Sequence, residues 1–178
     1  MGLLTRQDII NGLQRLGQLA AANGCTLRIM VVGGAAIVLG FNTRESTHDI
    51  DALFLSPPDA KAVRQWSAQV AREFDWPEDW LNDAAKGYVV GPTAGPVILS
   101  SPGIEVLRAT TEQLLAMKLC AWRDDVDIGD ATHLVKELAH TLRREQIWQG
   151  LIPHLLPGHE LKAQYAFDDL WESLHGDT

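Results

Sequence analysis

The sequence predicts an α+β fold in which a mixed β-sheet is flanked by helices and followed by a helical C-terminal segment. Up to about residue 109, segments with helical periodicity alternate with apolar, β-branched segments that have the length of strands. From Thr110 onward, the apolar residues recur only with helical spacing. We therefore expect an α/β core over residues 1–109 and a helical part, packed on that core, over residues 110–178.

Composition and charge limit the class of protein. Of the 178 residues, 46% are hydrophobic and 21% are charged, which is enough to bury a substantial core. The apolar runs fall far below the ~20 residues of a membrane span and the first residues lack a signal-peptide pattern, so we expect a cytoplasmic protein without a membrane partner. The net charge of −8 argues against broad binding to DNA. Cys25 and Cys120 lack the spacing of a metal site or a disulfide framework.

The N-terminal segment is expected to form a helix. Thr5 and Asp8 have the spacing of a capping box, and Asn23 and Gly24 follow the last apolar residue of one helical face. The apolar residues of this face are Ile9, Leu13, Leu16 and Ala20.

A strand, a glycine turn and a short helix follow. Residues 26–32, TLRIMVV, are apolar and β-branched and stop at Gly33 and Gly34, after which AAIVL is helical in character. At such a turn, bare backbone N–H groups and the helix dipole can receive a phosphate. Glycine pairs also serve simply as turns.

The next strand, from about His48 to Leu55, contains Asp49 and Asp51. Alternate residues of a strand share a face, so both carboxylates are expected to point the same way. Two ionised carboxylates near a core are costly unless cations or donors neutralise them, and Mg²⁺ binds carboxylate and phosphate oxygens. A solvated polar face of the strand is the alternative explanation.

Two further segments complete the expected core. Pro57 and Pro58 are expected to open a helix with an apolar face. Residues 87–110, GYVVGPTAGPVILSSPGIEVLRAT, have the pattern of short strands at the distal edge of the sheet. The residues of the apolar helix face are Val63, Trp66, Val70 and Phe74.

The glycine turn and the acidic strand together resemble a known active-site pattern. VVGGAAIVLGFNTRESTHDIDALF is similar to the signature of the nucleotidyltransferase superfamily that includes DNA polymerase β. R-x-x-T-x-D-I-D, from Arg44 to Asp51, is similar to the bacterial branch that contains the AbiEii-type toxins and related uncharacterised nucleotidyltransferases. LLAMKLCAWRDDVDIGDATHLVKEL resembles the second block of that branch, and DWLND, at residues 79–83, resembles some relatives without indicating a chemical role.

The resemblance implies a nucleotidyltransferase fold and a Mg²⁺- or Mn²⁺-dependent transfer of a nucleoside monophosphate. An NTP would bind with the metal, an acceptor would attack its α-phosphate, and pyrophosphate would leave. Asp49 and Asp51 would hold the metal, and Gly33 and Gly34 would let the triphosphate approach the backbone. The other nucleotide-binding residues would be Arg44, Thr47, Lys118 and Arg123. For Arg44 the alternative is to brace the aspartates, and for Thr47 it is to shape the turn into the strand. The acceptor would be a tRNA end or other RNA, a protein side chain or a small hydroxyl compound, and the toxin-like branch implies a possible antitoxin partner.

Lys118, Asp127 and Asp130 each have a second explanation. Lys118 interrupts an otherwise apolar helix face, so it either meets a triphosphate or extends along the surface. Arg123 is not on the same helical stripe and would reach the same phosphate only at a bend or a helix end. Asp127 and Asp130 fit an N-cap with its N3 partner as well as a catalytic role.

Glu105, in GIEVL, is the candidate for a third carboxylate. Many members of the superfamily have such a group on a neighbouring strand, where it takes the acceptor proton. We expect Glu105 on the strand beside Asp49 and Asp51, although a solvated edge residue would explain it equally well. Without a third acid, the chain would be a catalytically degenerate module that binds a nucleotide or a partner.

Other enzyme classes fit the sequence less well. His48 and Asp49 form an HD pair, but metal-dependent phosphohydrolases need further His and Asp ligands on helices, and this pair begins a strand. The sequence contains no G-x-G-x-x-G or Walker motif, so a Rossmann or P-loop enzyme is not expected.

Overall fold

A computed structural model describes residues 2–56, 60–123 and 125–176. Its architecture is α+β, with a mixed five-stranded sheet flanked by helices and a helix at the C-terminal end of the described chain. This confirms the fold class expected from the alternating patterns. Pro57 and Pro58, which the sequence predicts to open a helix, lie outside the described residues.

The helices and strands are named in chain order. The strands are β1 (Leu4–Thr5), β2 (Leu27–Val31), β3 (Ser46–Thr47), β4 (Ile50–Ser56), β5 (Leu81–Asn82), β6 (Ala94–Ser101) and β7 (Ile104–Ala109). The α-helices are α1 (Arg6–Ala22), α2 (Gly33–Gly40), α3 (Ala60–Phe74), α4 (Thr111–Ala121), α5 (Asp125–Ala139), α6 (Arg144–Leu151) and α7 (Glu160–His175). Short 3-10 helices cover Ala84–Gly87 and Ile152–His154.

The chain forms two compact units. The first contains residues 1–87 and 94–109, and the second contains residues 88–93 and 110–178. The first unit holds the sheet with α1 to α3, and the second holds α4 to α7.

The segment 88–93 belongs to the second unit because the side chain of Gln113 binds its backbone. Gln113 is fully buried on α4, its Nε2 donates to the carbonyl of Val90 over 2.8 Å, and its Oε1 accepts from the N–H of Thr93 over 2.7 Å. The expectation of strands throughout residues 87–110 is therefore too broad, and the first strand of this hairpin begins only at Ala94.

The five-stranded sheet has the order β5-β4-β2-β7-β6. The central strand β2 runs antiparallel to β4 and parallel to β7, and β5 runs parallel to β4. The hairpin of β6 and β7 places only β6 at the edge, where Pro96 can be accommodated, whereas β7 lies beside the central strand.

Helix α1 begins and ends as the sequence predicts. Thr5 accepts a hydrogen bond from the backbone of Asp8, the Asp8 carboxylate accepts one from the backbone of Thr5, and Asn23 is the C-cap. The expected apolar face is fully buried.

The predicted apolar face of α3 is only partly correct. Val63 and Val70 are buried, but Phe74, the last residue of the helix, is 37% exposed and stacks on Trp76. Trp80 occupies the adjoining core instead, where its side chain is 1% exposed and its Nε1 donates to the carbonyl of Ser67 over 3.0 Å.

None of the helices in the described ranges is both long enough and apolar enough to cross a bilayer.

Candidate functional site

A glycine turn joins the central strand to α2, directly beside the acidic strand. Gly33 has φ +60°, a conformation that favours glycine, and a Cβ at this position would lie 3.3 Å from Oδ2 of Asp51. The N–H of Val32 donates to the carbonyl of Asp51 over 2.9 Å. The turn and the Asp51 carboxylate are therefore immediate neighbours.

The second glycine is required by a close contact rather than by its dihedral angles. A Cβ on Gly34 would lie 2.5 Å from Oγ1 of Thr47 and 3.2 Å from Nη1 of Arg44. Thr47 is buried and pairs with Leu4 in the small β1–β3 ladder. The Nε of Arg44 donates to the carbonyl of Ser46 over 2.7 Å, so the guanidinium braces the loop that approaches Gly34.

Asp49 lies directly before β4 and Asp51 lies on that strand, and both are half-buried. The sequence pattern predicts that Asp49 and Asp51 both lie on the strand. Because Asp49 is one residue outside it, the strand pairing of β4 does not fix its position.

A side chain from β5 contacts Asp49 instead. The Nδ2 of Asn82 donates to Oδ2 of Asp49 over 3.1 Å. The sequence patterns predict no role for Asn82, although the DWLND segment that contains it resembles some members of the toxin-like branch. The contact depends on the pairing of β4 with β5, and α3 lies between these two strands in the sequence.

Glu105 does not lie where a third carboxylate was expected. The strand beside β4 on that side is β2, so β7 and Glu105 are one strand further away. Glu105 is registered with Arg28, whereas Val31 is registered with both Ala52 and Arg108, which puts Glu105 about 10 Å along the sheet from the row of Ala52.

The contacts of Glu105 give it another role. Its Oε1 accepts from Nε of Arg28 over 2.6 Å, and both side chains are substantially exposed. The expected placement beside Asp49 and Asp51 is therefore wrong, because the central strand separates them. A general base must be within hydrogen-bond reach of the proton it takes, and we do not carry Glu105 into the proposed site.

Lys118 and Arg123, predicted as nucleotide-binding residues, meet carboxylates within the second unit. The Nζ of Lys118 lies 2.8 Å from Oδ1 of Asp127 and 2.7 Å from Oδ2 of Asp130, and all three side chains are buried. Helix α4 ends at Ala121, and this end brings Nε of Arg123 within 3.0 Å of Oδ2 of Asp127.

These contacts revise the interpretations of two residues, Lys118 and Asp127. Lys118 is 8% exposed, so it does not extend along the surface, and two carboxylates already neutralise its buried ammonium. The N-cap interpretation of Asp127 is wrong, because α5 already begins at Asp125. The nucleotide-binding roles of Lys118 and Arg123 stay predictions.

The pKa of Asp127 reflects this environment. Burial raises the pKa of the carboxyl, but hydrogen bonds from Arg123 and Lys118, together with the charge of Lys118, outweigh burial and lower the pKa to about 2. Asp127 is therefore ionised at neutral pH.

The described residues contain no cluster of three or more His, Cys, Asp or Glu side chains suited to a metal ion. Asp51 provides a carboxylate beside the glycine turn, and Asp49 precedes it by two residues. Mg²⁺ is commonly held by one or two carboxylates plus substrate phosphates, so this pair fits a metal that arrives with a nucleotide better than a metal held by protein alone.

Comparisons with known proteins identify no relative. The chain matches no protein-family model, no curated protein and no solved structure.

Proposed function

We propose that this chain is a Mg²⁺-dependent nucleotidyltransferase that moves a nucleoside monophosphate from an NTP to an acceptor. The observation that supports the proposal is the proximity of Asp51 to the glycine turn, with 3.3 Å between its Oδ2 and the position of a Cβ on Gly33. A phosphate that approached the backbone of this turn would come close to the Asp51 carboxylate, and a divalent cation would bridge the two groups.

The residues around the turn have complementary tasks in this proposal. Asp49 and Asp51 hold the cation, which supplies charge stabilisation to the transferred phosphate. Gly33 keeps a side chain away from the space between the turn and Asp51, and Gly34 lets the loop of Thr47 pack against the turn. The N-terminal N–H groups of α2 donate to the oxygens of the triphosphate. Thr47 and Arg44 fix the loop that carries the acidic residues against Gly34.

In the reaction, an acceptor oxygen forms a bond to the α-phosphorus and the bond from this phosphorus to the bridging oxygen breaks. Pyrophosphate leaves with the bonding electron pair, and the proton of the attacking hydroxyl passes to water. We propose a tRNA end or other RNA, a protein side chain or a small hydroxyl compound as the acceptor class. The similarity to toxin-like enzymes extends the proposal to a toxin–antitoxin or defence setting with an antitoxin partner.

A second candidate function is a nucleotidyltransferase-like module that binds a nucleotide or a partner without transferring the nucleotide. The position of Glu105 favours it, because this residue pairs with Arg28 away from the aspartates. A nucleotidyltransferase with Glu105 in this position would need another group to accept the proton of the acceptor.

Labelled nucleotides distinguish the two candidates. The protein is incubated with each α-³²P-labelled NTP in turn, Mg²⁺ and a cell lysate, and the label is followed into RNA, protein and small molecules. Transfer predicts incorporation that is lost in Asp49→Asn with Asp51→Asn. Asp83→Asn, which removes a half-buried carboxylate paired with Lys86, is the matched control and is expected to keep it.

Each alternative outcome has a clear meaning. Nucleotide binding without incorporation from any NTP favours the binding module. Incorporation that survives the double aspartate variant contradicts the proposed site.

A further inference from the structure

Asn82 is held in place by the core of the first unit. Its strand β5 runs parallel to β4, with Leu81 registered to Ile50 and Asn82 registered to Asp51. The residue before this strand, Trp80, is 1% exposed, and its carbonyl accepts from the N–H of Ile50 over 2.7 Å. Asn82 therefore has a fixed position beside the acidic strand.

The contacts of the Asn82 amide fix its orientation. Its Oδ1 accepts from the N–H of Ala84 over 3.0 Å. Its Nδ2 donates to Oδ2 of Asp49 over 3.1 Å and lies 3.4 Å from the carbonyl of Asp79. A flipped amide would place a donor against the N–H of Ala84 and an acceptor against the Asp49 carboxylate, so only this orientation satisfies both ends.

We propose that Asn82 is the positioning residue of the metal site, acting through Asp49. The inference rests on the proposed function. Asp49 lies outside the strand pairing of β4, and a donor on Oδ2 holds its carboxylate so that Oδ1 is the oxygen presented to the cation. Hydrogen-bond partners of metal-ligating carboxylates orient the ligand, and their loss typically lowers metal affinity by about 10–100-fold.

An amide suits this role better than a third acid. It donates to Asp49 without adding negative charge to a site that already holds two carboxylates. The position thus gives the site a third polar member from β5, on the opposite side of β4 from β2 and β7.

Two substitutions separate positioning of Asp49 from support of the local turn. Asn82→Ala removes both hydrogen-bond functions. Asn82→Ser keeps an oxygen that can accept from the N–H two residues later, as serine does in related turns, but is too short to reach Asp49. Asp83→Asn, at the next position, is the matched control, because the half-buried Asp83 forms its ion pair with Lys86 and does not contact Asp49.

The experiment measures Mn²⁺ binding by electron paramagnetic resonance in the presence of a non-hydrolysable ATP or GTP analogue, using the full chain. We expect both Asn82→Ala and Asn82→Ser to weaken Mn²⁺ binding by about tenfold or more, and Asp83→Asn to change it less than twofold. Circular dichroism and the apo melting temperature verify that each variant is folded. In NMR spectra, the side-chain amide resonances of Asn82 should shift between the wild type and the Asp49→Asn variant.

The possible results are distinct. Wild-type affinity in Asn82→Ser with weakened binding in Asn82→Ala would overturn the inference, because the turn alone would then explain the residue. Unchanged affinity in both variants would also overturn it while leaving the metal site intact. Wild-type Mn²⁺ binding that does not require Asp49 and Asp51 would overturn the proposed function and this inference together.

Discussion

At the scale of single residues, the two glycines of the turn are required for different reasons. Gly33 needs its positive φ, whereas Gly34 needs the absence of a Cβ beside Thr47 and Arg44. The two positions therefore respond differently to substitution.

Gly34→Ala is expected to destabilise the protein by about 1–3 kcal/mol, because the new methyl group would lie 2.5 Å from Oγ1 of the buried Thr47. Urea unfolding of the full chain measures the change. Thr47→Ala removes this oxygen, so the double variant should lose less stability than the sum of the single variants. Additive losses would show that the two side chains do not meet.

The glycine turn after the central strand and the placement of Asp51 on the next long strand could be predicted because each lies in a short, local pattern. The contact of Asn82 with Asp49 could not, because it depends on the pairing of two strands that are distant in sequence. Glu105 was placed wrongly for a related reason. An acidic residue in an apolar strand predicts that the side chain has a partner, but it does not predict the order of the strands, and here β2 lies between Glu105 and Asp51.

At the scale of secondary-structure elements, the junction of α4 and α5 is held by charges. Asp127 accepts from Lys118 on α4 and from the side chain and backbone N–H of Arg123, which follows that helix. Trp122, the C-cap of α4, lies between that helix and Arg123 and has φ 41°, in the left-handed region that a bulky residue rarely adopts. The carboxylate thus stabilises a turn that is otherwise unfavourable.

Acid should weaken this junction. The pKa of Asp127 is lowered to about 2 from an ordinary value of 3.8, so its ionised form contributes about 2 kcal/mol above the ordinary pKa. The unfolded chain binds the proton first as pH falls, and the contribution is lost progressively between about pH 5 and pH 2. In urea unfolding, the stability difference between the wild type and Asp127→Asn should shrink by about 2 kcal/mol from pH 7 to pH 2. Asp169→Asn, at an exposed carboxylate, is the control, and an unchanged difference would contradict the prediction.

Removal of Lys118 from its contacts with Asp127 and Asp130 should lower the stability of the protein at neutral pH. Lys118→Met leaves the buried carboxylates of Asp127 and Asp130 without their shared cation, and breaking a buried pair costs about 3–5 kcal/mol. Adding Asp130→Asn should restore part of the lost stability, as measured by chemical unfolding. Unchanged stability in Lys118→Met would show that the ammonium is not the counter-charge of these carboxylates and would strengthen its prediction as a nucleotide ligand.

At the scale of the whole molecule, local periodicity predicted the α+β class and the change to helices near residue 110. It did not predict that residues 88–93 belong with the helical unit, because the buried amide of Gln113 holds them through backbone hydrogen bonds. Such a long-range contact leaves no periodic pattern in the sequence.

The net charge of −8 favours weak, non-specific binding of divalent cations across the protein surface. The proposed site predicts a cooperative effect, because two carboxylates bind Mg²⁺ best when a triphosphate supplies further oxygens. Mg²⁺ alone and nucleotide alone should therefore have smaller effects on stability than the two together.

We expect saturating Mg²⁺ with a non-hydrolysable NTP analogue to raise the melting temperature of the wild type by about 5–10 °C. A ligand at about 100 times its Kd stabilises the folded state by about 2.7 kcal/mol, and a chain of this size gains about 2–4 °C per kcal/mol. Scanning calorimetry measures the shift for each ligand and for the pair. Asp49→Asn with Asp51→Asn should abolish the joint shift, whereas Asp83→Asn should retain it, since both change exposed or half-buried negative charge but only the first removes the proposed ligands. A joint shift that persists in the double variant would place the metal and nucleotide elsewhere in the protein.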